Sequence, residues 1–131
     1  MALFIFTKKI LAGEPIPLFN EGKMKRDFTY VDDIVSGVVS ALKTIPQGEV
    51  PHKVYNLGNG KSEPLMRYVE IIEQELGIKA RYEMLPMQPG DVPESFSDTS
   101  LAQKELGFVS KTNIDQGVKN FVSWYKSYYK V

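Results

Sequence analysis

The chain contains no cysteine, which excludes a disulfide framework and any metal site built on thiolates. It has a single histidine, His52, so a multi-histidine metal site is excluded too. Net charge is also missing. Sixteen basic and sixteen acidic side chains cancel, so no overall field draws the protein to nucleic acid or an anionic membrane. No apolar run approaches a membrane span. No secretory leader is evident: Met1 to Phe6 is apolar but lacks a basic lead-in and runs into Thr7-Lys8-Lys9. These absences lead us to expect a cytosolic (cytoplasmic) protein. No repeat, low-complexity tract or long linker divides the 131 residues, so residues 1–131 read as one domain, long enough to bury a core.

What is present centres on Lys25-Arg26-Asp27-Phe28-Thr29-Tyr30-Val31-Asp32-Asp33. The stretch reads as a short strand delivered to an acidic helix start, where Asp32 or Asp33 can accept from free N–H groups of the first turn. Arg26 then lies on a pinned strand, and a planar guanidinium held there suits a bidentate grip on phosphate or carboxylate. The plainer reading of the same residues is a surface ion pair of Arg26 with Asp27 or Asp33, worth little.

The remaining elements follow from periodicity and punctuation. Residues from about Ala2 to Ala12 predict an amphipathic helix stopped by Gly13. Pro15 to Asn20 must be extended, because two prolines forbid a helix and limit pairing to an edge. Asn20-Glu21-Gly22-Lys23 has turn chemistry, so the flanking segments are expected to form a hairpin that carries Phe19 close to Arg26. Asp33 to about Ile45 predicts a helix with Ile34, Val38, Ala41 and Leu42 as its apolar stripe. Pro46 to Pro51 is a solvated loop, and His52 beside it is surface. Lys53 to Gly58 reads as a strand. Ser62-Glu63-Pro64 opens a helix that Gly77 ends. Lys79 to Leu85 alternates as a strand, with Ala80, Tyr82 and Met84 on one face. The loop Pro86 to Pro93 holds three prolines and a glycine, so it presents Gln88 and Asp91 with little ordering cost. Ser100 to Gln103 and Asn113 to Gln116 have the capping-box pattern of helix starts. Ile114, Val118, Phe121, Val122 and Tyr125 form the last buried stripe, and Trp124, Tyr128 and Tyr129 are expected to widen it as packing.

Met24 to Val35 resembles a segment of the C-terminal part of extended short-chain dehydrogenase/reductase (SDR) enzymes that act on nucleotide sugars. Three further stretches agree in the same order: Val54-Tyr55-Asn56-Leu57-Gly58, Leu85 to Pro93, and Ser97-Asp98-Thr99-Ser100 before Leu106-Gly107-Phe108. Leu3 to Thr7 and Met84 to Pro93 are most similar to the UDP-glucuronate 4-epimerase branch. The resemblance implies a fold class: a small mixed α/β (α+β) substrate-binding subdomain of a Rossmann-like enzyme. From the same resemblance we expect the N-terminal dinucleotide-binding half to be absent and Met1 to lie at a domain cut.

The same resemblance implies the chemistry. In the family, NAD removes hydride from sugar C4, a tyrosine base takes the proton, and the keto sugar turns before hydride returns. That machinery needs a glycine-rich strand-to-helix turn and a Tyr-x-x-x-Lys pair, and neither occurs here. The chain is therefore expected to be inert alone and to bind no NAD itself, the cofactor belonging to the intact enzyme. Its implied ligand is a UDP-sugar: Arg26 on the pyrophosphate, Asp91 on the ribose hydroxyls, Phe19 and Gln88 around the base. For Asp91 the alternative is a turn-shaping role. A second arginine near Gln88, common in such enzymes, is replaced by Met87 and Gln88. The strand 53–58 would lack its sheet and seek an edge, either on the missing Rossmann half or on a second copy in a homodimer. A free-standing, non-catalytic interaction module pairing through that strand is the alternative function.

Overall fold

The computed structural model describes residues 2–131. Apolar residues three and four apart wind Ala2–Leu11 into helix α1, which turns Phe6 and Ile10 inward. Gly13 ends it in the left-handed region at φ 69°. Strand β1, Ile16–Phe19, then alternates as a half-covered strand should: Ile16 and Leu18 are fully buried, Pro17 and Phe19 half-buried. Complete burial of a branched aliphatic side chain such as Ile16 stabilises by about 2 kcal/mol.

β1 does not form the expected hairpin with the next strand. It pairs in parallel with β4, Tyr82–Leu85, in the register Ile16↔Tyr82 to Phe19↔Leu85. The reason lies in the intervening 3-10 turn, Asn20–Gly22, where Asn20 and Glu21 both take left-handed backbone, at φ 51° and 53°. That turn swings the chain off the ladder. β2, Lys25–Arg26, pairs instead with β3, Glu63–Pro64, in antiparallel register.

Helix α3, Leu65–Leu76, and helix α5, Ile114–Tyr129, supply most of the core. Val69 and Ile72 meet Val118 and Val122, and α1 and β1 close the same cluster. Asn113 caps α5 by accepting from the Gln116 N–H at 2.9 Å, as its sequence predicts. The Gln116 side chain turns to Asn120 rather than back to the cap. Helix α4, Ser100–Leu106, takes Thr99 as its N-cap residue instead of Ser100, and the Gln103 side chain donates to Thr99 Oγ1.

Four further expectations are corrected. Helix α2, Val31–Leu42, buries Asp33 and Gly37, while Val38 and Leu42 of the expected stripe face solvent, Leu42 at 78% exposure. The inward face is set by Gly37: a Cβ there would lie 2.8 Å from Leu57 and 2.9 Å from Phe108, so only glycine lets that layer close. Neither Asp32 nor Asp33 caps α2, because the Asp33 carboxylate reaches residues 110–112 instead. Residues 53–57 form no ladder. Their side chains tie them to α4 and the segment before it: Tyr55 Oη donates to Glu105 and Asn56 Nδ2 to the Asp98 carbonyl, with Val54 exposed. Finally, Trp124, Tyr128 and Tyr129 are solvent-facing, with Trp124 stacked on Tyr128 at 5.3 Å. The core beneath α5 is already filled by Val118, Val122 and Tyr125, leaving the other side of the helix uncovered. Tyr82 and Met84 are exposed although they lie beside the buried Ile16 and Leu18 in the register, since β4 is an edge strand with β1 on one side only.

Candidate nucleotide site

Arg26 is held from two sides. β3 pairs with β2, and the Lys25 N–H donates to the Pro93 carbonyl at 2.8 Å while the Ser95 N–H donates back to Lys25 at 3.2 Å. So pinned, the guanidinium spans two acceptors: Nη1 donates to the Lys25 carbonyl at 2.8 Å and Nη2 to Asp91 Oδ1 at 2.7 Å. The same Asp91 oxygen accepts from the Val92 N–H at 2.8 Å, and the Asp91 N–H donates to the Gln88 carbonyl. Asp91 thus shapes its turn and meets Arg26 at once.

Phe19, Arg26 and Asp91 line one cleft of about 300 Å³, together with Met24, Phe28 and Leu65. Its walls are carbon-rich and its charged groups converge from two distant segments, the usual build of a small-molecule site. Gln88 is exposed and does not line the cleft. The ion pairs of Arg26 with Asp27 or Asp33 suggested by the sequence do not form, because both carboxylates are engaged elsewhere. Phe28 stacks on Tyr68 at 4.0 Å and separates this cleft from a larger apolar cavity of about 510 Å³ between α1 and α5. Burial pushes the Tyr68 phenol well above its ordinary value, so it stays protonated.

Asp27 is the residue that sequence reasoning missed. Its Oδ1 accepts from the Asn59 N–H at 2.8 Å and the Thr29 hydroxyl at 3.2 Å. Its Oδ2 accepts from the Gly60 N–H at 3.0 Å, the Ser97 N–H at 3.1 Å and the Ser97 hydroxyl at 2.6 Å. Burial raises this carboxyl, but the hydrogen bonds from Ser97, Asn59 and Gly60 outweigh it and hold the group below its ordinary 3.8. In sequence, an aspartate beside an arginine reads as that arginine's partner, and nothing local points to residues 59 and 97. Among the described residues, no group of carboxylates or histidine is placed to hold a metal ion, and no helix is long and apolar enough to cross a membrane.

The mixed α/β fold is that of extended SDR nucleotide-sugar epimerases. Residues 1–58 match the NAD dependent epimerase/dehydratase family. A UDP-glucuronate 4-epimerase of Arabidopsis thaliana is 43% identical over 98% of this chain and 32% of its own length. A probable UDP-glucuronate 4-epimerase of Rhizobium meliloti is 38% identical over 99% of the chain and 42% of its own. The crystal structure of UDP-glucuronic acid 4-epimerase from Bacillus cereus, in complex with UDP-glucuronic acid and NAD, superposes with a TM-score of 0.88. It is 27% identical, covering 98% of this chain and 40% of that one. Across almost all of its residues the chain is thus a relative of UDP-glucuronate 4-epimerases, and it spans less than half the length of each.

Proposed function

We propose that the chain is the substrate-binding portion of an NAD-dependent nucleotide-sugar 4-epimerase, acting on UDP-glucuronate and catalytically inert by itself. The observation that carries this reading is the meeting of Arg26 and Asp91 at 2.7 Å on a cleft that also holds Phe19. Arg26 would grip the pyrophosphate, Asp91 the ribose hydroxyls, and Phe19 would lie beside the base. The Gln88 side chain, at the exposed tip of its turn, would join the base only from the rim. Holding the nucleotide while the sugar turns is the contribution this portion would make to catalysis.

The residues present do not form a dinucleotide cradle: the chain has neither a glycine-rich strand-to-helix turn nor a tyrosine followed four residues later by lysine. NAD, and the hydride chemistry it supplies, would have to be held by residues outside this chain. A Rossmann half is the fitting partner, and the uncovered valines of α2 together with the ladder-free segment 53–57 are surfaces for it. The same exposed surfaces favour a second reading, a free-standing module that pairs with another copy through residues 53–58. Sedimentation separates the two, since a monomer at all concentrations removes the second.

Titration of the chain with UDP-glucuronate, followed by calorimetry, tests the site. Binding should be lost in Arg26→Ala and kept in Lys61→Ala, which replaces an exposed lysine away from the cleft. Equal binding by both variants refutes the assignment.

A further inference from the structure

The Asp27 carboxylate sits one residue from Arg26, yet it touches neither Arg26 nor the cleft that Arg26 and Asp91 share. It joins three segments at once: its own strand end through Thr29, the turn at Asn59-Gly60, and Ser97. Five donors saturate one carboxylate, which offers about four lone-pair sites. The turn is shaped to fit, because a Cβ on Gly58 would fall 1.8 Å from Ser97 Oγ and 2.8 Å from Asp27 Oδ2.

Residues 25–27 and 91–97 run side by side as one strip. Arg26 meets Asp91 by side chains, Lys25 meets Pro93 and Ser95 by backbone, a parallel bridge links Lys25 to Glu94, and Asp27 closes the far end on Ser97. Only two backbone hydrogen bonds hold the middle of that strip, and the Pro86 to Pro93 turn leads into its near end. Without the closure at Ser97, the backbone of residues 91–97 is anchored to β2 over a single residue, Lys25, and the Arg26–Asp91 contact is left to the side chains alone.

We propose that Asp27 is a positioning residue for the nucleotide grip: by clamping Ser97 and the Asn59-Gly60 turn to the end of β2, it fixes the register that brings Asp91 to Arg26. This role rests on Arg26 and Asp91 holding the nucleotide, and it assigns Asp27 no contact with ligand.

Asp27→Asn is the direct test. A carboxamide has one acceptor oxygen, so either orientation turns an NH2 group against backbone N–H donors. Two readouts are needed: hydrogen exchange at the Lys25 and Ser95 amides, and affinity for UDP. The control is Glu73→Gln, which breaks a comparable carboxylate knot whose members do not line the cleft, where Glu73 accepts from Lys79, the Ala80 N–H and Tyr82. Both variants should melt earlier. Only Asp27→Asn should speed exchange at those two amides and weaken UDP binding, each by about tenfold. If Asp27→Asn does not fold, Ser97→Ala removes the hydroxyl bond alone and should move both readouts by about threefold. Earlier melting with exchange and affinity both within about twofold of the parent overturns the proposal. Loss of UDP binding in Arg26→Ala alongside full binding in Asp27→Asn overturns the role of Asp27 only. A parent chain that binds no UDP overturns the nucleotide reading itself, even if Asp27→Asn still frees the two amides.

Discussion

Arg26 Nη2 donates to Asp91 Oδ1 at 2.7 Å, a contact between residues 65 positions apart. A guanidinium that could have paired with its own neighbour reaches across the chain instead, because Asp27 is fully occupied by three backbone N–H groups and two hydroxyls. The pair is partly exposed, with side chains at 26% and 34%.

That exposure sets the first prediction. A solvent-screened ion pair contributes about 1 kcal/mol or less to stability. Arg26→Ala and Asp91→Ala should therefore each shift the urea midpoint only slightly while each lowers UDP affinity by tenfold or more, roughly the loss of one charge-assisted hydrogen bond. Parallel denaturation and calorimetry on the same samples check it.

Acid should unfold the protein through three carboxylates. For Asp27, Asp33 and Glu73, burial raises the carboxyl, but hydrogen bonds outweigh it and leave each pKa lowered. The donors are Ser97 and the Asn59-Gly60 turn for Asp27, Thr112, Lys111 and Ser110 for Asp33, and Lys79, Ala80 and Tyr82 for Glu73. A folded value below the unfolded one means that stabilisation is complete above the unfolded value and lost as pH falls through the folded one. Stability should stay level from neutrality to about pH 5 and drop steeply below about pH 4. Asp33→Asn, already weakened at neutrality, should show a shallower drop in urea midpoints measured across that range.

Gly58 should tolerate no side chain. Its Cβ would collide with Ser97 Oγ at 1.8 Å and Ser97 Cβ at 2.9 Å, and relief requires opening the Asp27 knot. Gly58→Ala should cost about 1–3 kcal/mol in a denaturant titration.

Glu21→Gly should stabilise. Glu21 holds φ 53°, a left-handed conformation that costs a residue with a Cβ roughly 1 kcal/mol. Its ion pair with Lys23 is largely exposed and screened. The expected gain is about 0.5–1 kcal/mol, read as a rise in melting temperature.

Helices were the legible part of the sequence. The stripe at Ile114, Val118, Val122 and Tyr125 and the stops at Gly13 and Gly77 lie where period and punctuation put them. α2 misled because its apolar residues occupy more than one face, and only the approach of Leu57 and Phe108 to Gly37 decides which face turns in. Strand pairing misled for a related reason. Nothing near Phe19 distinguishes a hairpin to Lys25 from a ladder to β4. Of the four residues singled out for the nucleotide, Phe19, Arg26 and Asp91 share a cleft and Gln88 lies outside it. Asp27 was invisible because its five donors come from three separate stretches of chain.

The parallel ladder between β1 and β4 has a consequence for synthesis. Ile16 and Leu18 leave the ribosome well before the strand that completes their sheet, which ends at Leu85. Until then, two of the most deeply buried side chains in the protein stay wetted, and the nascent chain offers a sticky edge to holdase chaperones. Translation pausing between α2 and β4 should therefore lower the yield of native protein more than pausing after Leu85.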